Sequence, residues 1–482
     1  MSKRNEIIIL FIILFIAGIL LAVSLSLMPN LTPTSENQTL NSEVVKEIVK
    51  NTPIKKDSKT DSNVAVKQQI SFGEKILIKE KKSSQKQKGV RAMAAGNFEE
   101  AANHFQKALD RYKNEPETRI YLNNARIGQE RHYTIALSVP ISSDPNGALE
   151  MMRGVAQAQY KINNSQEKIN GIPLKVLLAD DRENPEIAQK IAIEFTKNKD
   201  ILGVVGHYAS DTTLAAGEIY DKEKLVAISP VSTSVKLSDF SDYVFRTVPS
   251  DSIAAKALAD YMLDEMGQKK VAVFFNAKSG YSRSLKSEFS ISVFAKGGDI
   301  VAEFNFSKSG FDAYKKVNEA NEKGAQVLML AASVSTIDEA LQVVSVNRKK
   351  LPLLGGDDVY TPKTLTIHPQ FSEGMIIAIP WHIDRVMEPD FSSLSKKLWR
   401  TSRVSWRTIL AYDATKSLIA AIEINPTRDG IKEELSNPDF SITGASGKIE
   451  FFPWGDRKSK VQLVRLVKSN NFSSGYDFVP ID

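Results

Sequence analysis

ILGVVGHYASDTT, from Ile201 to Thr213, is a short apolar run that ends in a turn of small and hydroxyl-bearing residues. The run Ile201–Val205 has the length and β-branched content of a buried parallel strand. Gly206 ends this strand, and Ser210 opens a stretch that is typical of a helix start. A strand that feeds a helix in this way points free backbone N–H groups at the space above the strand end, where a carboxylate can bind.

LVAISPVSTS, from Leu225 to Ser234, repeats this pattern. Ser229, Ser232 and Thr233 follow its apolar strand. The two turns should therefore lie side by side at the carboxyl edge of one sheet, where open α/β folds bind ligands. We interpret the pair as the floor of a small-molecule pocket. Two ordinary strand-to-helix turns are the alternative interpretation.

The composition narrows the class of protein. A chain of 482 residues is long enough for two or three domains, and its hydrophobic content of 42% is ordinary for a globular protein. The formal charge is a modest +6 and no basic stripe is interleaved with aromatics, so we expect no nucleic-acid binding. The absence of cysteine excludes disulfides, thiolate metal sites, a Cys nucleophile and lipid attachment through an N-terminal Cys.

The N-terminus predicts export. Lys3 and Arg4 precede an uncharged run from Ile7 to Met28, which is long enough to span a bilayer. We predict that residues 1–28 are a signal anchor, with the bulk of the chain in the periplasm or outside the cell. A signal peptide cleaved at Ala22-Val23-Ser24 is the alternative, and the product would then be secreted to the periplasm.

Two further segments precede the main body. Residues 29–84 are polar and predict a flexible linker. Residues 85–128 have a helical pattern that resembles one tetratricopeptide repeat plus a following helix, because its small residues and aromatics have that spacing: Gly89, Gly96, Phe98, Ala101, Phe105 and Ala108. One repeat is not stable alone, so this stub must pack on something else or associate with another copy. It could dock a protein partner or serve as a spacer.

From His132 onward, predicted strands and amphipathic helices alternate. This rhythm predicts parallel sheets with helices on both faces. The number of strands suits an α/β fold of two doubly wound lobes better than one sheet, with a seam near FRTVPSD at 245–251. The end of the chain differs, because residues 441–443, 448–452 and 461–467 read as antiparallel strands.

The order of these elements and their turn motifs resembles the type I periplasmic binding proteins, and more narrowly the substrate-binding subunits of branched-chain amino acid transporters. The motifs are SSDPNGALEMMRGVAQA, NGIPLKVLLADDRENP, GVVGHYASDTT, AISPVSTS, FRTVPSD, KSGYSRS, LLGGDD, AYDAT and SGKIEFFPWGDR. The resemblance implies two hinged lobes joined by three crossovers, with ligand in the cleft. The first lobe would hold 132–250 and 374–437, and the second 251–373 and 438–482.

The resemblance also implies how an amino acid would be held. Ser210 and Thr233 match the positions that hold the ligand carboxylate, and the carbonyl of Val231 would accept from the ligand ammonium. Asp357, from the second lobe, would complete the ammonium site. A zwitterion needs donors near its carboxylate and a negative charge near its ammonium, which agrees with this assignment.

Two more positions follow from the resemblance, and two features depart from it. Tyr281 matches an aromatic wall, and Asn146 a contribution from the turn after the first strand. Asp211 replaces a Ser or Ala of many members, and we expect it to cap its own helix. Ala331 and Ala332 stand where some amino acid binders have an aromatic, which implies a wider or differently shaped side-chain pocket.

Other polar residues predict structural roles. The histidines lack the spacing of a helical metal pair, and no phosphate-binding loop appears, so we expect neither metal nor cofactor. His207 should bond to backbone, although ligand contact is the alternative. Asp180 and Asp181 should have a capping or cleft-edge structural role, and acid–base chemistry is the alternative. Ser210 lacks a nucleophile-elbow context, so we expect no enzyme activity.

We therefore predict an exported solute-binding protein that captures a small polar ligand, most simply an amino acid, with a transporter permease as partner. A membrane-tethered sensing receptor that signals through the helical stub is one alternative. An interaction scaffold that has lost the pocket is another.

Overall fold

The computed structural model describes residues 66–79, 83–470 and 474–481, all within one compact unit, Lys59–Asp482. The predicted anchor at 1–28 and most of the predicted linker lie outside these residues. Among the helices that are described, none combines the length and the apolar run needed to cross a bilayer.

The described chain alternates strands and helices as the sequence predicts. The strands are β1 Ile70–Ser71, β2 Tyr133–Val139, β3 Leu174–Asp180, β4 Ile201–Val205, β5 Ala227–Ser229, β6 Val244–Arg246, β7 Lys270–Phe275, β8 Asp299–Asn305, β9 Val327–Ala331, β10 Leu353–Gly355, β11 Ile376–Ile379, β12 Ile442–Gly444, β13 Gly447–Ile449, β14 Gln462–Lys468 and β15 Tyr476–Pro480. The α-helices are α1 Ser84–Ala94, α2 Phe98–Arg111, α3 Pro116–Ile127, α4 Pro145–Asn163, α5 Pro185–Lys197, α6 Ser210–Glu223, α7 Asp251–Asp260, α8 Gly280–Ala295, α9 Ala313–Glu322, α10 Ile337–Asn347, α11 Pro362–Thr366, α12 Pro369–Ser372, α13 Pro389–Trp399, α14 Trp406–Ile424 and α15 Arg428–Ser436.

The first lobe is built on a six-stranded sheet in the order β1-β3-β2-β4-β5-β6, parallel except for β1. Alternate side chains of β2 face opposite layers: Ile135 packs with α4 and α14, whereas Ala136 packs with α5. Helices α4 and α14 approach closely at Gly154, where a Cβ would lie 2.2 Å from the carbonyl oxygen of Thr408.

The second lobe is built on a seven-stranded sheet in the order β15-β14-β11-β10-β9-β7-β8. The core strands β7 to β11 are parallel, and β14 and β15 add antiparallel pairs at one edge. The predicted assignment of residues 376–379 to the first lobe is therefore corrected. That strand pairs with β10 and β14 of the second sheet, so the crossover follows Ile379 instead of Gly374.

Part of the C-terminal region is fixed to the first lobe before the chain returns to the second. The hairpin β12–β13 is held by Asp413 of α14, whose carboxylate accepts hydrogen bonds from the backbone N–H groups of Ala445 and Ser446. Further along, Asp456 forms an ion pair of 2.6 Å with Arg246 at the end of β6. The predicted second-lobe segment 438–482 thus joins that lobe's sheet only from β14 onward.

The predicted helical stub is present as α1, α2 and α3. Helices α1 and α2 approach where Gly89 faces Phe105, and a Cβ at Gly89 would lie 2.6 Å from that ring. The buried ammonium of Lys86 contacts the carboxylates of Glu115 and Glu117. The likeness to a tetratricopeptide repeat stays a prediction.

Helix α3 joins this stub to the first lobe. The side-chain amide of Asn124 donates to the carbonyl of Val176 at 2.8 Å, and its oxygen accepts from the Val176 N–H at 3.1 Å. Ile70 and Ser71, inside the predicted linker, add the antiparallel edge strand β1 to β3. These contacts cover the edge of the first sheet, which would otherwise offer unpaired backbone groups.

Candidate ligand site between the lobes

The two predicted turns meet at the carboxyl edge of the first sheet. β4 and β5 are neighbours, paired in parallel through Val205 and Ile228. Ser210 begins α6 and is buried, and its Oγ accepts a hydrogen bond from the N–H of Ser234 at 3.3 Å. The side-by-side arrangement predicted for the turns is therefore present.

A network of hydroxyls fixes these turns from within. Ser229 Oγ donates to the carbonyl of His207 at 2.7 Å and accepts from the N–H of Ser232 at 3.0 Å. Ser232 Oγ in turn lies 2.6 Å from the hydroxyl of Thr213. Val231 is buried in the same turn. This face of the cleft is thus ordered by its own hydrogen bonds.

Thr233 and Asp251 bring a hydroxyl and a carboxylate together where the lobes join. The carbonyl of Thr233 accepts a hydrogen bond from the Asp251 N–H at 2.8 Å. The two residues are only 5% and 1% exposed, and the Asp251 carboxylate lies within hydrogen-bonding reach of the hydroxyls of Thr233 and Ser284. Burial raises the pKa of Asp251 to about 7.

Tyr281 and Asp357 form the second-lobe side of the cleft. Tyr281 lies in the first turn of α8, and Asp357 follows strand β10. The Tyr281 hydroxyl donates a hydrogen bond to Asp357 Oδ1, and both side chains are buried. Burial raises the pKa of Asp357 above its usual value. Asn146, in contrast, is exposed in the first turn of α4 and makes no hydrogen bond to the residues described, so its contact with the other predicted residues stays a prediction.

The two lobes touch beside this site. The N–H of Gly280, at the start of α8, donates to Asp211 Oδ2 at 2.7 Å, and Arg283 lies 3.8 Å from the same carboxylate. A Cβ at Gly280 would lie only 2.2 Å from Asp211 Oδ1. Val235 N–H also donates to Ser284 Oγ at 3.0 Å. Asp211 thus interacts with the helix start of the opposite lobe, whereas the sequence predicted a cap on its own helix.

A buried ion pair also crosses between the lobes. Arg407, at the start of α14, donates to Asp358 Oδ1 at 2.7 Å and to the hydroxyl of Tyr208 at 2.9 Å. Its guanidinium carbon lies 4.3 Å from the centre of the Trp406 ring. Burial raises the pKa of Asp358, and the neighbouring guanidinium opposes that rise.

Glu183 adds a further carboxylate at this edge, just after β3. It is partly buried. Burial raises its pKa to about 8, and the negative charges of Asp358, Asp144 and others raise it further in the same direction. The cleft therefore carries a concentration of acidic groups from both lobes.

His207 and Asp181 lie beneath the site rather than in it. His207 is fully buried, with Nδ1 2.7 Å from Asp181 Oδ2 and Nε2 3.0 Å from the hydroxyl of Tyr220. The predicted backbone bond of this histidine is replaced by side-chain partners. Asp181 also accepts from Ser138 and from the N–H of Glu183, in keeping with its predicted structural role.

The sequence reasoning missed three residues of the site. Asp251 ends the motif FRTVPSD and Asp358 is the second acid of LLGGDD, so both stood inside recognised motifs without being singled out. The local sequence did not mark Arg407 as a site residue, because a single charged residue at a helix start is typical of an exposed surface. Within the described residues, no group of three or more His, Cys, Asp or Glu side chains has an arrangement suited to a metal ion.

The sequence of this chain is similar to those of known binding proteins. A family model described as "Periplasmic binding protein" matches residues 132–475. An amino acid binding protein of Pseudomonas aeruginosa is 24% identical over 310 residues, which cover 64% of this chain and 82% of the relative. The leucine-, isoleucine-, valine-, threonine-, and alanine-binding protein of the same organism is 22% identical over 247 residues, covering 51% and 66% of the two chains.

Solved structures have a similar fold. An ABC transporter substrate-binding protein from Desulfitobacterium hafniense, in complex with Leu, has a TM-score of 0.60 and 23% identity, covering 72% of this chain and all of that one. A solute binding protein from Rhodopseudomonas palustris, in complex with 3,4-dihydroxy benzoic acid, has a TM-score of 0.63 and 16% identity, covering 73% and 96%. The two neighbours hold ligands of different classes, so the likeness establishes the fold and leaves the ligand open. Because the family model spans most of the chain and the folds agree, this chain belongs to the periplasmic binding proteins.

Proposed function

We propose that this protein captures an amino acid between its two lobes and presents it to an ABC transporter permease. Membership of the family implies an extracytoplasmic location. The amino acid and leucine binders among its relatives support the ligand class. The protein would hold and release its ligand without chemical change.

The placement of a hydroxyl and a carboxylate on opposite lobes, at Thr233 and Asp251, carries this proposal. Thr233 Oγ1 is a buried hydroxyl on the first lobe, and Asp251 Oδ2 is a buried carboxylate oxygen on the second. A ligand with a carboxylate and an ammonium a few atoms apart satisfies both, because the hydroxyl can donate and the carboxylate can accept. Asp357 and Tyr281 then extend the ammonium site.

The division of polar groups between the lobes explains how binding would drive closure. Donors of the ligand carboxylate lie on the first lobe, and acceptors of its ammonium lie on the second. A ligand that bridges them interacts more strongly with the closed state than with the open one, and it shifts the population accordingly. The hydrogen bond from the N–H of Gly280 to Asp211 shows that the two lobes already touch beside the site.

Calorimetric titration of the full-length protein against the twenty amino acids tests the proposal. We expect micromolar or tighter binding of at least one. Thr233→Val and Asp251→Asn should each weaken that binding about tenfold or more. Thr366→Val, an exposed threonine of the second lobe, is the matched control and should bind normally. If the folded protein bound none of the twenty amino acids, or if Thr233→Val and Asp251→Asn both bound as tightly as the wild type, the proposed site would be wrong.

A receptor role is a second candidate, supported by the attachment of α3. This helix is almost wholly buried, and Asn124 bonds it to the backbone of β3. The helical stub would therefore move with the first lobe when the cleft closes. Hydrogen exchange measured with and without ligand tests this: altered exchange over 84–111 supports signalling through the stub, and unchanged exchange supports a spacer.

A further inference from the structure

An arginine of the first lobe reaches across the cleft to an aspartate of the second. Arg407 lies at the start of α14, which packs on α4 in the first lobe, and Asp358 follows strand β10 of the second sheet. Arg407 Nη2 donates to Asp358 Oδ1 at 2.7 Å, and the two side chains are only 8% and 10% exposed. Neither residue lies at a crossover between the lobes, so the pair forms because the cleft closes and not because the chain connects the two residues.

The first lobe holds this arginine in position. Its Nε donates to the hydroxyl of Tyr208 at 2.9 Å, and its guanidinium carbon lies 4.3 Å from the centre of the Trp406 ring. Tyr208 belongs to the turn after β4 and is itself buried. A planar guanidinium held by a hydrogen bond and an aromatic face points its remaining donors in a fixed direction. Arg407 is therefore oriented by its own lobe and takes Asp358 as its partner from the other lobe.

The second lobe holds the aspartate in a similar way. Asp358 Oδ2 accepts a hydrogen bond from the N–H of Val334 at 3.1 Å, and Val334 follows strand β9 of the same sheet. One carboxylate oxygen is thus bound within the second lobe, and the other faces Arg407. Separation of the lobes would return both charges to water, whereas closure without the partner would leave one charge buried alone, which is costly. The pairing of the two charges therefore belongs to the closed state.

This buried pair differs from the exposed ion pair between the lobes. The side chains of Arg283 and Asp211 are 44% and 39% exposed and lie 3.8 Å apart, so water screens their attraction. Arg407 and Asp358 are buried and closer together, and each also has a hydrogen bond inside its own lobe. The buried pair is therefore placed to contribute more to lobe closure than the exposed pair.

We infer that Arg407 is a positioning residue that latches the second lobe over the ligand site through Asp358. The lobes are then held together partly by protein side chains, and a bound ligand adds to this contact. Asp358 directly follows Asp357, whose carboxylate bonds to Tyr281, so the latch also fixes that carboxylate over the cleft. The inference rests on the proposed function only for what the closed cleft holds, because closure itself is measured without a ligand.

The distance between the lobes tests this inference in the full-length protein without added ligand. Because the chain contains no cysteine, Lys190→Cys on α5 and Gln342→Cys on α10 give one exposed spin-labelling site on each lobe. Pulsed electron paramagnetic resonance then measures the separation of the two labels. We expect Asp358→Asn and Arg407→Gln each to raise the ratio of open to closed protein at least about tenfold. The double variant should be no more open than the more open single variant, because both changes remove the same contact.

A matched control separates the latch from a general effect of losing an ion pair. Asp338→Asn removes an exposed ion pair with Lys363 inside the second lobe and should leave the label distances unchanged. Urea unfolding shows whether each variant is folded. Asp358→Asn keeps the size of its side chain, and it decides the question if Arg407→Gln does not fold.

The outcomes separate this inference from the proposed function. Label distances that match the wild type in the folded latch variants would overturn the latch, and so would a wild type that is mainly open. Neither result would affect amino acid capture, which calorimetric titration measures separately. Opening of the latch variants in a protein that binds no amino acid would support the latch and contradict the proposed function.

Discussion

The two faces of the cleft are stabilised in opposite ways. On the first lobe, the hydroxyls of Ser229 and Ser232 both donate to the carbonyl of His207, and Ser229 Oγ also accepts from the N–H of Ser232. These turns are therefore held in place by their own hydrogen bonds before a ligand binds. On the second lobe, the buried carboxylate of Asp357 accepts a hydrogen bond from the Tyr281 hydroxyl, and Asp251 is also buried. The first face is fixed by hydrogen bonds among its own turns, and the second carries buried carboxylates. Substitutions within the Ser229–Ser232 network should therefore change stability, and substitution of Asp357 should change binding.

Asp357→Asn should give the largest effect. Loss of the charge facing the ligand ammonium is expected to weaken binding about 100-fold, close to 3 kcal/mol, with little change in the free energy of unfolding. Calorimetry and urea unfolding measure the two quantities. Asp338→Asn, an exposed carboxylate on the same lobe, should change neither. An Asp357 variant that binds normally would contradict the role given to the second face.

Ser229→Ala should show the opposite pattern. Removing this hydroxyl leaves the carbonyl of His207 and the N–H of Ser232 with fewer partners, and we expect unfolding to become easier by about 2 kcal/mol. Urea unfolding measures this, with the exposed Ser393→Ala as control. Unchanged stability with lost binding would place Ser229 on the ligand instead.

Gly280→Ala tests how closely the faces must approach. A Cβ there would lie 2.2 Å from Asp211 Oδ1, so full closure should be hindered and affinity should fall about tenfold, or 1.4 kcal/mol. The double variant Gly280→Ala with Asp211→Ser removes the obstructing carboxylate and should recover most of the loss. Failure of the double variant to recover would mean that the approach of these residues does not limit binding.

Glu183→Gln should alter the pH dependence of stability. The folded protein holds the Glu183 proton up to a pKa of about 8, above the ordinary value of 4.5. Its contribution is therefore fully present below about pH 4.5 and is lost as the pH rises through 8. Between pH 6 and pH 9 the wild type should lose roughly 1 kcal/mol relative to the variant, after allowance for the partial exposure of this residue. Parallel curves for the two proteins would contradict the environment assigned to Glu183.

Much of this architecture can be predicted from the sequence, because short apolar runs and the turn residues that follow them form local patterns. The strand at Ile201–Val205, the turns at Ser210 and Thr233, and the seam before Asp251 all lie where these local patterns predict. Other features depend on long-range pairing. The apolar run at 376–379 is compatible with a strand in either sheet. Its pairing with β10 and β14 is what assigns it to the second sheet.

The features that escaped prediction lack a local pattern. Ile70 and Ser71 form too short a strand to show periodicity, and they lie in a polar stretch. Arg407 resembles a surface residue until Asp358, distant in the sequence, is placed beside it. The pairing of Asp211 with Gly280 likewise exists only because two lobes meet.

Titration of the full-length protein with the twenty amino acids tests the proposed capture most directly. We expect micromolar or tighter binding of at least one of them. If the folded protein bound none, amino acid capture between the lobes would be contradicted.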